Sequence, residues 1–311
     1  MRLSTDSLSA TRVSLTFAAR INGLSLTEES IAKYKRSVYE AYLENKVLVF
    51  NSQDISPRVF AEFGKIFGTP ETHHVIKLRH SMEPTLTYLS NQNEAGRNPV
   101  MKYSGDGWHS DYSYKLIPAN ATMLHGLEIP AEGGDTLFAN AEAAFEELPE
   151  DTKQYLRTLR VRHQYRWSPD REDPWARWKY IGQSERDVTP EITHPLVRRH
   201  PDTGKECLFL QPRIIGSVIG IEGLDEGASN RLIDDLIDHI TSAQFVYRHH
   251  WKQNDVVVWD NRCLLHSGTT KNLSERHVRR LLRLTTTGSA VTPSRTEVGF
   301  SKIMRFDEET V

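Results

Sequence analysis

Apolar positions recur at helical spacing near the N-terminus and in short strand-like runs from Ala119 onward, so the pattern predicts helices first and a β-rich body after them. Thr27 is placed as a helix N-cap, and Ile31, Tyr34, Val38 and Ala41 follow at helical intervals up to Lys46. Val47-Leu48-Val49-Phe50 then reads as a buried strand. Ser56-Pro57 predicts a second helix with Pro at its first position, an apolar face of Val59, Phe60, Phe63, Ile66 and Phe67, and a stop at Gly68. Between Glu71 and Asn98 one short strand, Thr85–Leu89, is flanked by polar segments rich in His and Asn, a texture suited to a loop over a site.

Strand candidates follow at turn-separated intervals: Ala121–Ile129, Thr136–Ala139, Val161–Tyr165, Cys207–Leu210, Phe245–Trp251, Val256–Trp259 and Arg279–Thr286. Their number and spacing predict a mainly β fold, a sandwich or jelly roll. Two helical inserts interrupt it, one after Asn140 carrying Ala144, Phe145 and Leu148, the other near Asn230 carrying Leu232, Ile233, Leu236, Ile237 and Ile240. The polar stretch Trp167–Asp187 has no clear period and reads as a lid or a subunit contact, which leaves a homo-oligomer open. No repeat or linker divides the chain, so residues 1–311 are expected to form one domain.

Composition narrows the classes. The 311 residues are 38% hydrophobic and 26% charged with a formal net charge of -2, which gives no basic excess for a nucleic-acid partner. No apolar run reaches membrane-spanning length, and Met1–Thr5 lacks the apolar core of a signal peptide, so a cytoplasmic protein is expected. Cys207 and Cys263 are the only cysteines; a disulfide framework is not expected and a four-cysteine zinc site is impossible.

Candidate chemistry begins at Trp108-His109-Ser110-Asp111. An imidazole and a carboxylate two positions apart fall on one side of an extended backbone and can reach one metal. With a second imidazole from elsewhere they would form the two-histidine, one-carboxylate face that suits iron and leaves positions open. Alone, the triplet is a weak signal, because such triplets occur by chance and are more often a surface His beside a solvated Asp. His266, after the apolar pair Leu264-Leu265, is placed to point inward, as a ligand or as a satisfied core histidine. In Arg279-Arg280-Leu281-Leu282-Arg283, Arg279 and Arg283 share one strand face. Buried guanidinium groups need anionic partners, and no acidic strand is evident to supply both. A small dicarboxylate could do so through bidentate contacts, while a solvated edge is the alternative.

Taken in order, Trp108-His109-Ser110-Asp111, Gly133-Gly134-Asp135-Thr136, His194-Pro195-Leu196-Val197-Arg198-Arg199-His200-Pro201 with Thr203-Gly204-Lys205, Trp259-Asp260-Asn261-Arg262 before His266, and Arg279 with Arg283 resemble the taurine/2,4-D dioxygenase family of Fe(II)- and 2-oxoglutarate-dependent oxygenases. The resemblance spans about Val47 to Gly288 and implies a double-stranded β-helix, or jelly roll, flanked by helices. It implies that His109, Asp111 and His266 ligate Fe(II). It further implies that Arg279 and Thr136 bind 2-oxoglutarate, and that Arg283 holds the substrate's anionic group or assists near the metal. Dioxygen is then the second co-substrate, and succinate and carbon dioxide are products. The retained carboxylate of Asp111 favours oxygen transfer over the halogenation seen in relatives that lack it. Hydroxylation is the default outcome, with desaturation or ring formation using the same ligands.

The primary substrate is expected to be a small organic anion. Ile214 stands where the taurine enzyme places an aromatic ring, and Gln211-Pro212-Arg213 also departs, which argues against a sulfonate. Lys102, Tyr103, Asn91, His80 and Arg213 are candidate pocket residues, and Lys or Tyr there suits a carboxylate or amino-acid-like compound. A sulfonate, a sulfate ester or an aryloxyalkanoate are alternatives within the same class. A jelly-roll binding protein without turnover and a zinc hydrolase using the same three ligands are the rivals outside it.

Overall fold

The computed structural model describes residues 8–14, 17–72, 79–91, 105–165, 190–212, 217–271, 273–274 and 276–294. The first predicted helix forms as Glu28–Asn45, with Thr27 accepting from the Ser30 amide while the Ser30 hydroxyl caps Thr27 in return. It ends at Lys46 in the left-handed conformation, φ 63°, and the chain passes directly into the strand Val47–Phe50, all four residues buried. Ser56 caps the second helix, Pro57–Gly64. The pattern carries this helix to Gly68, but its last turn tightens to a 3-10 helix over Lys65–Phe67. Gly68 lies at φ 136°, and a Cβ there would sit 3.0 Å from the Thr287 carbonyl oxygen, so the chain can turn under the neighbouring strand only at a glycine.

In the larger, eight-stranded sheet, Val256–Asp260 lies between Val47–Phe50 and Ala119–Glu128, and the next strand is Arg280–Thr287. Both faces of this sheet are covered at its centre, so Val47–Phe50 and Val256–Asp260 are buried without a break, whereas Ala19–Asn22 alternates buried and exposed and Ser9–Arg12 is exposed. Leu48, Phe50, Met123, Val258, Leu282 and Leu284 pack with Phe60 and Phe63 of the second helix and Phe67 of its 3-10 turn. Val47, Val49, Leu124, Val257, Trp259 and Leu281 face inward and meet Phe138 and Leu264. Those two belong to the smaller sheet Val246–His249, Thr136–Asn140 and Leu264–Gly268. Two sheets stacked over a shared core give the jelly roll. Behind the smaller sheet, Ala139 and Leu265 pack against Phe145, Leu156, Ile233 and Ile237 of three helices: Ala141–Glu147, Glu150–Arg157 and Glu226–Ile240.

Predicted strands appear with bounds shifted by a residue or two. The pattern misses Ser9–Arg12 and Ala19–Asn22, the helix Glu150–Arg157 that buries only Leu156, and the strands Ile192–Pro195, Val197–Arg199 and Val218–Ile221. The stretch Trp167–Asp187 lies outside the described residues.

Candidate metal centre

His109 and His266, far apart in sequence, are joined by the backbone itself. The His109 amide donates to the His266 carbonyl at 2.9 Å and the His266 amide to the His109 carbonyl at 2.8 Å, an isolated antiparallel bridge that sets the ring centroids 4.1 Å apart. Ser110, between the two predicted ligands, turns the other way: its amide donates to Gln211 Oε1 at 2.9 Å and its hydroxyl to the Asn261 carbonyl at 2.8 Å. Asp111 therefore returns to the face of His109, as the two-residue spacing predicts, although the segment is a single bridge rather than a strand. Asp111 Oδ1 lies 3.9 Å from His109 Nε2, and Oδ2 lies 3.8 Å from His266 Nε2. Ligand atoms of all three residues fall within 4.8 Å of one another.

The donor set fits a divalent transition metal. His109 Nδ1 lies 2.8 Å from the Gly107 carbonyl, the arrangement in which that nitrogen carries the proton and Nε2 keeps its lone pair for a metal. Burial and the neighbouring His109 hold the His266 imidazole well below its ordinary pKa, so it stays neutral. Burial alone would raise the Asp111 carboxyl, but the Arg283 guanidinium and the two imidazoles outweigh it and hold the group below the usual carboxylate range. Arg283 Nη2 lies 2.6 Å from Asp111 Oδ1, and Thr122 Oγ1 donates to Asp111 Oδ2 at 2.5 Å. Asn261 ties this arrangement to the strand Val256–Asp260: its Oδ1 accepts from the Asp111 amide at 3.3 Å and from Trp259 Nε1 at 3.2 Å, and its Nδ2 donates to Thr122 Oγ1 at 2.9 Å.

A second cluster, His200, Asp260 and Cys263, has metal-like proximity but not metal-ready donors. His200 Nδ1 accepts from the Asp202 and Thr203 amides, which places the ring proton on Nε2, 2.9 Å from Asp260 Oδ2. Asp260 is further held by Arg262 Nε at 2.8 Å and Nη2 at 2.7 Å. These contacts account for the His200-Pro201 and Trp259-Asp260-Asn261-Arg262 motifs as buried structural polar pairs.

Arg279 lies on the wall of the same cavity as the three ligand residues, together with Thr136 and Arg283. Arg279 is buried and the Arg283 side chain is only 14% exposed, so the solvated-edge alternative fails. An acidic partner for Arg283 does exist, in the neighbouring turn rather than on a strand: Asp111. Arg279 makes no ion pair among the described residues. Burial pulls its pKa down to about 10, partly countered by Asp106 and Asp135. Its Nε donates to the Gly134 carbonyl at 2.8 Å. Gly134 is at φ 72°, and a Cβ there would lie 2.7 Å from Arg279 Cδ, so the Gly133-Gly134-Asp135-Thr136 motif needs its second glycine to let the arginine pass.

Other sequence candidates fall differently. Asn91 positions Arg279: its Oδ1 accepts from the Arg279 amide at 2.9 Å and its Nδ2 donates to the His277 carbonyl at 2.6 Å. His80 Nδ1 accepts from the Met82 and Glu83 amides and organises its own turn; it is not among the residues lining the cavity. Lys102, Tyr103, Arg213 and Ile214 lie outside the described residues. Thr122, Trp251 and the side chain of Asn261 were given no role from the sequence. Their contacts are fixed by register between distant strands and leave no local signal, except that Asn261 belongs to a quoted motif.

Comparison with known proteins agrees with this geometry. Residues 8–285 match the taurine catabolism dioxygenase TauD, TfdA family. The alpha-ketoglutarate-dependent 2,4-dichlorophenoxyacetate dioxygenase of Cupriavidus pinatubonensis is 32% identical over 285 residues, covering 88% of this chain and 96% of that one. An alkylsulfatase of Acinetobacter baylyi is 29% identical over 295 residues, covering 93% and 87%. The crystal structure of AAD-2 in complex with Mn(II) and N-oxalylglycine superposes with a TM-score of 0.73 at 26% identity, covering 92% of this chain and 99% of that one. These matches leave the hydrolase and binding-protein alternatives without support. The chain belongs to the TauD/TfdA family and is an Fe(II)- and 2-oxoglutarate-dependent dioxygenase.

Proposed function

We propose that this enzyme hydroxylates a small organic carboxylate, with His109, Asp111 and His266 holding Fe(II), Arg279 and Thr136 holding 2-oxoglutarate, and Arg283 receiving the substrate's anionic group. The observation that carries the proposal is the convergence of three candidate ligand side chains within 4.8 Å in a cavity that Arg279 and Arg283 also line. When bound, Fe(II) and 2-oxoglutarate supply the oxidative decarboxylation, to succinate and carbon dioxide, that activates dioxygen. The chain supplies position, charge and exclusion of water. Arg279, without a carboxylate partner among the described residues, is free to take the distal carboxylate of 2-oxoglutarate through paired N–H donors. Arg283 already balances Asp111 through Nη2, and among the described residues the other donors of its fork have no acceptor, which leaves them for a substrate anion.

An aryloxyalkanoate is the carboxylate class to test first, on the strength of the Cupriavidus relative. An amino-acid-like carboxylate comes next, and a sulfate ester is the second reading, favoured by the alkylsulfatase match. We further propose that residues 1–311 act as one catalytic domain in the cytoplasm; the single family match over residues 8–285 and two unpaired buried cysteines support this. Among the described residues no helix is long and apolar enough to cross a membrane. The test is a panel of aryloxyalkanoates, amino-acid derivatives, sulfonates and sulfate esters scored for substrate-dependent succinate release and for oxidised product. Coupled turnover on carboxylates is expected; turnover confined to sulfonates or sulfate esters overturns the substrate assignment.

A further inference from the structure

Thr136 begins a strand that is paired on both sides, opposite His249 on one neighbour and Gly268 on the other. Two residues beyond His249, past the end of its strand, the Trp251 side chain reaches back and its indole Nε1 donates to Thr136 Oγ1 at 3.0 Å, both residues being buried. The indole ring is held in turn by an edge contact with His249, centroids 4.7 Å apart at 90°. A hydroxyl that accepts an N–H must aim its own hydrogen elsewhere. Among the described residues that hydrogen has no acceptor, and Thr136 lines the cavity that also holds Arg279.

We propose that Trp251 is a positioning residue for the co-substrate: by occupying a lone pair of the Thr136 hydroxyl, it fixes the O–H as a donor into the cavity, where it meets the distal carboxylate of 2-oxoglutarate beside Arg279. This rests on the assignment of Thr136 and Arg279 to the co-substrate made above. The accepted N–H also polarises the hydroxyl and makes it a stronger donor. Without it the hydroxyl can rotate and turn its lone pairs toward the carboxylate, which repels them. The contact thus selects for a 2-oxo acid that carries a second carboxylate.

The test is equilibrium binding of N-oxalylglycine to the Mn(II)-loaded protein, which reads the ligand directly and requires no turnover. Pyruvate, which keeps the 2-oxo acid but lacks the distal carboxylate, is the control. Trp251→Phe keeps the ring and removes the donor; it is expected to weaken N-oxalylglycine about fivefold, the order of one hydrogen bond, and to leave pyruvate and Mn(II) affinity unchanged. In a Thr136→Val background, adding Trp251→Phe is expected to cost nothing more, because the partner through which Trp251 acts is already gone. Equal weakening of both ligands, additive losses in the double variant, or an unchanged Trp251→Phe beside a weakened Thr136→Val each overturn the inference alone. An unchanged Thr136→Val overturns the co-substrate assignment, and the inference with it.

Discussion

Thr122 donates to Asp111 Oδ2 at 2.5 Å and accepts from Asn261 at 2.9 Å, so its loss would leave a buried carboxylate oxygen without its donor. Support of this kind around a metal ligand typically contributes ten- to a hundredfold in metal affinity. Thr122→Val is therefore expected to weaken Mn(II) binding by about tenfold, measured by equilibrium dialysis, with Thr122→Ser close to native. Equal behaviour of the two variants would remove the hydroxyl from the account. Gly134→Ala carries two penalties, a left-handed backbone worth about 1–2 kcal/mol and a Cβ 2.7 Å from Arg279 Cδ. The expected result is a raised 2-oxoglutarate requirement together with a lowered melting temperature; an unchanged requirement would show that Arg279 can be displaced without cost. Direct truncation, Arg279→Ala, should cost on the order of 2 to 4 kcal/mol in co-substrate binding, the usual loss for a buried charge-assisted contact. His109, Asp111, His266 and Arg279 stand out in the sequence only as an ordered set of motifs, since each alone reads as readily as an ordinary surface or core residue; the structure brings the four to one cavity. Trp251 and Thr122 were not legible, since an indole and a hydroxyl are ordinary core residues until strand register places them against Thr136 and Asp111.

Elements with local stop and start signals were readable, and those defined by their neighbours were not. Thr27, Ser56 and Asn140 each cap a helix as their positions predict. By contrast, Ile192–Pro195 and Val197–Arg199 interleave His194, Pro195 and Arg198 with apolar residues, which breaks the alternation a strand normally shows. These polar groups are buried because the fold receives them: His194 Nε2 meets the Lys115 carbonyl at 3.0 Å, and the Arg198 guanidinium stacks 4.5 Å over Phe209. Asn140 deserves a test at this scale, because the helix it caps follows directly on the strand that begins at Thr136. Its Oδ1 accepts from the Glu142 and Ala143 amides, both at 3.1 Å. Asn140→Ala should destabilise the protein by about 1 kcal/mol, with Asn140→Asp near native in urea unfolding. A loss below the error of the extrapolation would mean that packing alone holds that helix.

Across the whole molecule, a further three-stranded sheet of Arg160–His163, Ile192–Pro195 and Val218–Ile221 buries a titratable group outside the candidate metal centre. Burial, with His194 beside it, pushes the His163 imidazole down to about 3, and among the described residues neither ring nitrogen has a partner. The unfolded chain takes up this proton near the ordinary value of 6.5. Between those values the unfolded state binds one more proton than the folded state, so stability falls as pH falls, by about 1.4 kcal/mol per pH unit for this group. His163→Phe, stacked on Phe209 as the native ring is, is expected to flatten that slope between pH 7 and pH 5 in urea titrations. An unaltered slope would assign the acid sensitivity to other groups. The reciprocal amide bonds between His109 and His266 have a consequence for biosynthesis. A nascent chain emerging from the ribosome carries one imidazole and the carboxylate long before the other imidazole exists. On the ligand assignment proposed above, it cannot assemble the complete centre until synthesis has passed His266, so capture of iron waits on the pairing of two segments made far apart in time.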